Sequence, residues 1–332
     1  MLLNFLIAGC AGGSNAAAAT GGCYDWPGIK QIIIAFSWVM EFLYDKIGIA
    51  NIGLVIIIFT LIVKFVLLPL TIKQQKFSKL SSIMQPEIKA IQAKYKGRND
   101  QYSMQAMQAE TKAVYAKYGV SQAGGCLQTF IQMPIIIALY GAIRQLPTVL
   151  EALKTPLVNI GTVLNSAAAA DPAIKTSLTA ISSGILSTDV NTQVTTLYTL
   201  PTKSWEAMSA LFTPGSPAYT TLSENFTQMK EVNSFCGFDL SQTPWNIMLG
   251  GGLGIFIVLI PLLAGFAQWL SFKLTQAAGA SGDQGDALGG ASKTMGLIMP
   301  LFSVFFCFTL NSGLGLYWCA SSIFQVVLQI LL

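Results

Sequence analysis

The stretch IANIGLVIIIFTLIVKFVLLPL, Ile49 to Leu70, decides the fold. Its strongly polar members are Asn51, Thr60 and Lys64. At ~1.5 Å per residue it is long enough to cross the ~30 Å hydrocarbon core of a bilayer. The rest of the chain agrees. It has 332 residues, 53% hydrophobic and 10% charged, with a mean hydropathy of +0.58. A soluble domain carries ~25% charged residues. So much apolar surface cannot be hidden in one soluble core, and the fold class is an all-α integral membrane protein. The same numbers exclude disorder and a small disulfide scaffold. Histidine is absent, which removes His-ligated metals, His general bases and Ser-His-Asp triads. No cofactor and no metal is expected.

Immediately after this first span the character changes. Lys73 to Tyr118 carries nine Lys and Arg against Glu87, Asp100 and Glu110, a local charge of +6 where the whole chain has +4. The positive-inside rule makes this segment cytoplasmic, so the first span runs from outside to inside. Phe77, Leu80, Met84, Ile88, Ile91 and Tyr95 repeat at threes and fours, and so do Met104, Met107, Thr111, Val114 and Tyr118. Gly97-Arg98-Asn99-Asp100 between them is a turn signal. The pattern predicts an antiparallel coiled-coil hairpin over 73–119, kinked at Pro86.

Further spans are expected at 127–146, 246–270, 294–312 and 313–332. With 49–72 they make five, placing the N-terminus outside and the C-terminus in the cytoplasm. Residues 147–245 form an outer region in which acids outnumber Lys, with short helices at Leu197–Phe212 and Ala218–Val232. That region is expected to be largely dispensable. Residues 271–293 are a Gly/Ala/Ser cytoplasmic loop. Before the first span, Lys30, Ser37, Glu41 and Asp45 read as one polar stripe on an otherwise apolar helix over 29–48. This suits an outer amphipathic helix in the membrane interface, although a transmembrane helix fits the same residues. Residues 1–28 are a leader. Leu6-Ile7-Ala8-Gly9-Cys10 resembles a lipobox, which would lipidate Cys10, but the short uncharged start equally fits an Ala/Gly-rich leader. Cys23 and Cys236 could pair if both face outward.

Chemistry is sought first among polar residues inside spans, because they are costly there. Lys64 lies ~18 Å from Ile52 and ~9 Å from Leu70 along a helix, and Thr60 is one turn away on the same face. No carboxylate in another span can neutralise Lys64. Two readings stay open: a side chain that snorkels to the inner headgroups, and a charge in a water-filled site. Gln128 and Gln132 in the second span, Gln268 in the third, and Tyr317, Ser321, Gln325 and Gln329 in the fifth form further polar stripes. Together with Lys64 they point to a hydrophilic cavity within the bundle. An intramembrane charge and broken helices would also suit a small-molecule transporter or channel. No internal repeat is apparent, and a basic hairpin has no evident part in a pore. An integral enzyme lacks a paired acid and base within the spans. No GxxxxGK[ST] motif is present, so no ATP is implied.

Several motifs carry a resemblance. They are Asn51-Ile52-Gly53-Leu54, Pro69-Leu70-Thr71-Ile72-Lys73-Gln74-Gln75, Gln85-Pro86-Glu87-Ile88, Lys117-Tyr118-Gly119-Val120 and Gly124-Gly125-Cys126-Leu127. Ile131-Gln132-Met133-Pro134-Ile135, Leu139-Tyr140, Phe238-Asp239-Leu240, Met299-Pro300-Leu301 and Gly315-Leu316-Tyr317-Trp318 extend them, in order, from about Pro27 to Leu332. The chain resembles the YidC-type membrane protein insertases. The resemblance implies a non-enzymatic insertase and chaperone of the bacterial cell membrane. Such a protein moves newly made membrane proteins into the bilayer and helps them fold. It implies a groove open to cytoplasm and lipid, holding a basic residue that here is Lys64, where Arg is usual. Thr60 and Tyr317 map to the same groove. The hairpin would receive clients, with the Sec translocon, the signal recognition particle machinery and the ribosome as candidate partners besides membrane lipids. No direct recognition of nucleic acid is implied. Two departures stand out: the outer region is longer than is usual in Gram-positive members, and the large folded N-terminal domain typical of Gram-negative members is not seen in this sequence.

Overall fold

A computed structural model of the chain describes residues 27–98, 100–120, 124–249, 255–277, 298 and 300–331. Cys10 and Cys23 lie outside them, as do residues 278–297. The described chain is helical apart from one two-residue hairpin. In order, the helices are α1 (Pro27–Glu41), α2 (Ile52–Val66), α3 (Leu68–Lys94), α4 (Gln101–Lys117) and α5 (Gly124–Val149). Then come α6 (Glu151–Ala170), α7 (Pro172–Ile181), α8 (Val190–Thr199), α9 (Thr202–Ser209) and α10 (Pro217–Asn233). Strands β1 (Ser234–Phe235) and β2 (Phe238–Asp239) precede α11 (Pro244–Leu249), α12 (Ile255–Ala277), α13 (Pro300–Thr309) and α14 (Ser312–Leu331).

Among the described residues one helix, α14, is by itself long and apolar enough to cross a membrane. Two bent pairs add to it. One is α2 with Leu68–Phe77 of α3, bent by 63°, and the other is Gln132–Val149 of α5 with α6, bent by 65°. The third and fourth expected spans appear as shorter apolar helices, Val258–Leu274 and Pro300–Thr309. The first bend has a covalent cause. Pro69 has no N–H to give the carbonyl of Phe65, four residues back, and its ring crowds that carbonyl. The helix therefore stops at Val66 and restarts at Leu68, with Pro69 in the first turn where a missing N–H costs nothing.

The chain divides into two compact units. The first comprises residues up to 60, 134–262 and 305–318. Here Ile29, Ile33, Ser37 and Met40 of α1 form one buried stripe at spacings of four, four and three. The expectation of a single exposed polar stripe is thereby corrected: Ser37 faces inward because it shares the face of Ile33 and Met40. The exposed face instead carries Ile34, Trp38 and Phe42, the last two rings stacked at 5.8 Å. A π-helical turn, Phe42–Lys46, follows.

The same unit contains α6 to α10, in the region 147–245. Leu153, Leu157, Ile160 and Leu164 of α6 are fully buried, as are Leu178, Ile185, Leu197, Met208 and Met229, and α6 packs against α7, α8 and α10. Asp171, Asp189 and Ser216 cap α7, α8 and α10 by accepting from Ala173 N, Thr192 N and Tyr219 N. The helix expected over 197–212 is split in two, since Pro201 cannot continue α8. Helix α10 falls where a helix was expected.

A strap then fastens this bundle to the ends of other helices. β1 and β2 pair across Cys236-Gly237, whose φ angles of 51° and 83° make the two-residue turn that suits strand twist. Asn51 Nδ2 donates to Ser234 O (2.9 Å), and the ring of Phe235 covers Gly53 so closely that a Cβ there would overlap it. Ser312 N and Oγ both donate to Gln242 O at 2.8 Å, and Gly313 N donates to Leu240 O. Gln242 Nε2 in turn donates to Leu200 O (2.9 Å). Tyr198 Oη donates to Asn233 Oδ1 (2.8 Å) inside the bundle, and burial raises the phenol's pKa.

The second unit comprises 61–133, 263–304 and the chain from 319. Its α3 and α4 pair around Met84, Ile88 and Val114, flanked by Ile91, Tyr115, Tyr118 and Val120. Helix α3 runs on through Pro86. Gly97 makes the turn at φ 84°, and Asp100 caps α4 from Ser103 N (2.9 Å). Ser103 is buried and Met104 exposed, so the inward face of α4 starts one residue earlier than its apolar pattern indicated. Two clamps hold the pair. Glu87 accepts from Lys117 Nζ (2.9 Å) and Tyr118 Oη (2.6 Å). Glu110 accepts from Lys94 Nζ and from Tyr95 Oη (2.8 Å). Partners run in opposite directions along the two helices, which makes the pairing antiparallel.

The clamps expose an internal repeat that the sequence reading missed. Glu87-Ile88-Lys89-Ala90-Ile91-Gln92-Ala93-Lys94-Tyr95 is matched by Glu110-Thr111-Lys112-Ala113-Val114-Tyr115-Ala116-Lys117-Tyr118. Each copy supplies its Glu to the Lys-Tyr of the other.

Candidate functional site

The break after Val66 puts Lys64 in the last turn of α2. The last turn of a helix presents carbonyls and the negative end of the helix dipole, both favourable to an ammonium. Pro69 deprives the Phe65 carbonyl of its helical donor at the same place. Lys64 is half-buried, and among the described residues it has no ion pair and no hydrogen bond. Thr60, one turn earlier and in the first unit, is fully buried, and its hydroxyl donates to Ile56 O (2.6 Å). Tyr317 of α14, also in the first unit, is buried.

In the second unit, Phe65 meets Phe324 edge-on at 5.6 Å, which sets the inner turns of α2 and α14 side by side. Ser321 and Gln325, flanking Phe324 on α14, are half-buried, and Ser322 is buried. Gln132 on α5 and Gln268 on α12 are half-buried, and Ser271, one turn beyond Gln268, is buried. Gln128 lies on α5, with its side chain outside the described residues. Among the described side chains, no hydrogen bond joins Lys64 to any of them. Meanwhile Leu61, Ile62, Phe65, Val66, Phe266 and Ile330 are exposed, Val66 to 72%. Polar groups thus turn inward and large apolar groups outward. Water would favour the reverse, whereas a hydrocarbon solvent favours this arrangement.

Two residues escaped the sequence reading. Arg144 gives the second span a cation of its own, half-buried, 5.8 Å from the ring of Tyr140. Gln75 on α3 is 9% exposed, and among the described residues neither polar atom of its amide has a partner. Its place in a basic, polar segment hid it, because no local signal marks which glutamine of a run is buried. There are no groups of three or more metal-ligating side chains among the described residues.

Residues 42–332 match the family described as 60Kd inner membrane protein. The chain belongs to that family. Among relatives, membrane protein insertase YidC 2 of Bacillus anthracis is 46% identical over 116 residues, 35% of this chain and 45% of that protein. Membrane protein insertase YidC of Alkalihalophilus pseudofirmus is 38% identical over 142 residues, 42% of this chain and 54% of its own. Membrane protein insertase MisCA of Bacillus subtilis is 34% identical over 146 residues, 44% and 54% of the two chains. The chain therefore spans about half the length of the 60Kd family relatives it matches. Membership makes it a bacterial membrane protein.

Proposed function

We propose that this chain is a membrane protein insertase and chaperone, acting on nascent membrane proteins by binding and positioning them, with no catalytic residue. The single observation that carries the reading is the broken α2–α3 span, with an uncompensated Lys64 in its last helical turn. Irregular backbone and charge at membrane depth are tolerated where water or protein meets them. A groove wetted from the cytoplasm shortens the dry path that a client's hydrophilic outer segment must cross. Lys64 adds a positive potential that attracts acidic residues in that segment. The client's own apolar helix then leaves into lipid. Lys64, Thr60, Gln128, Gln132, Gln268, Tyr317, Ser321 and Gln325 are the proposed groove residues.

The proposed topology has five spans, an outer N-terminus and a cytoplasmic C-terminus. The α3–α4 pair is then a cytoplasmic coiled-coil hairpin that receives clients, with the Sec translocon, the signal recognition particle machinery and the ribosome as partners. The similarity to membrane protein insertases supports the activity.

The test is insertion of matched acidic and neutral clients into proteoliposomes, at equal amounts of folded variant. Lys64→Arg should stay active. Lys64→Ala should slow the acidic client by roughly tenfold, equivalent to ~1.4 kcal/mol, and Lys64→Glu should be worse. If Lys64 merely snorkels, Lys64→Ala inserts both clients at the parent rate. Solute flux in the same vesicles without client transport would instead favour a small-molecule transporter.

A further inference from the structure

Helix α3 restarts at Leu68 and pairs with α4 only from Met84 onward. Between these points its buried described residue is a glutamine. Gln75 sits two turns past the break, and one turn past Thr71, whose hydroxyl is already spent on Leu67 O (3.0 Å). Both Gln75 Nε2 and Oε1 are enclosed without a partner among the described residues. Buried polar groups are nearly always paired, and leaving one unpaired is costly. A leucine of similar size would fill the position without that cost. The carboxamide is therefore explained by something that comes and goes.

Its chemistry narrows the visitor. A carboxamide presents donor and acceptor side by side. A phosphate or carboxylate offers acceptors alone, and a cation needs acceptors alone, so each would leave half of Gln75 unmet. A peptide group offers one N–H and one C=O and matches both. An unfolded segment entering hydrocarbon carries such groups unpaired, since no helix yet satisfies them.

We propose that Gln75 is a binding residue for the main chain of a polypeptide passing the inner end of the broken span. Its amide, closed off in the resting structure, is uncovered when the inner end of the broken span parts; it then pairs with one peptide group in the extended state and releases it once the segment turns helical. This makes recognition independent of client side chains at that point. The inference rests on the insertase reading and adds a contact to it.

The test uses the full chain in proteoliposomes with one client. Gln75→Leu and Gln75→Met should keep or raise the melting temperature, and both should slow insertion by roughly tenfold, the loss of about one to two hydrogen bonds. Gln75→Cys should form a disulfide with a single Cys in the client's crossing segment during insertion, and not with one in its mature helix. If Gln75 only holds a structural water, the Leu variant is stabilised and inserts at the parent rate, which overturns the proposal. Absence of the disulfide also overturns it. Failure of the parent protein to insert any client would sink the insertase reading instead, before Gln75 is at issue.

Discussion

The bundle α6–α10 and the pair α3–α4 are both built from amphipathic helices, yet they are held together by different forces. The bundle buries Leu153, Leu157, Ile160 and Leu164 completely and ties Tyr198, Asn233 and Gln242 to defined partners, although Trp205 Nε1 is buried without one among the described residues. Among the described residues the pair buries Met84, Ile88, Val114 and Ser103, plus Gln75 without a partner, and it relies on two exposed charge clamps. Apolar burial is worth ~25 cal/mol per Å² and is insensitive to salt, while exposed ion pairs contribute little and are screened. One region is a folding unit, and the other is a surface device that neighbours and ionic conditions can adjust.

The largest test of that contrast is on the bundle side. Replacing Ser166–Ala218 by a short linker removes Tyr198, Leu200, Trp205 and Met208, and with them the partners of Asn233 and Gln242. The sequence alone favoured little effect. The packed core instead predicts collapse of the bundle, read as loss of its amide-exchange protection. A single Leu157→Ala should cost ~2–5 kcal/mol in thermal unfolding of this unit, while Ile91→Ala at the half-buried seam of α3 should cost less.

The smallest effect belongs to the clamps. Tyr118 and Lys117 lower the pKa of Glu87, and Lys94 and Tyr95 lower that of Glu110. A depressed carboxyl pKa gives stability that is present above the unfolded value, near ~4.3, and is lost as pH falls through the folded value. Lys94 and Lys117 are raised by the same glutamates, so their share is lost only as pH rises past about 10. Amide exchange of the pair should therefore be flat between these limits, quicken modestly at either edge, and quicken with salt. Glu87→Gln should abolish its half of the acid edge and leave the bundle's exchange unchanged. A pair that ignores both salt and pH would erase the distinction drawn above.

Helices α2, α3, α4, α5, α10 and α14 were legible because periodicity is local and they fall where apolar residues recur, whereas α6 and α7 lie in a region read as connection. The rest of what was missed depends on distance or on one atom. The break at Leu67 follows from the missing N–H of Pro69, a signal present in the sequence but assigned to the end of the span. The strap depends on Asn51 meeting Ser234 and Gln242 meeting Ser312, contacts across long separations that no window contains. Of the site, Lys64 was visible as a charge among aliphatic residues. Gln75 was not, since glutamine is ordinary in a basic helix and only burial sets it apart.

The crossed glutamates have a mechanical consequence. Because each copy of the repeat grips the other, sliding α4 along α3 by one turn, ~5.4 Å, would part both clamps at once, with no neighbouring acid to catch either Lys-Tyr. Both clamps close in a single register, so they set how α3 and α4 align even though they add little to the strength of the pairing.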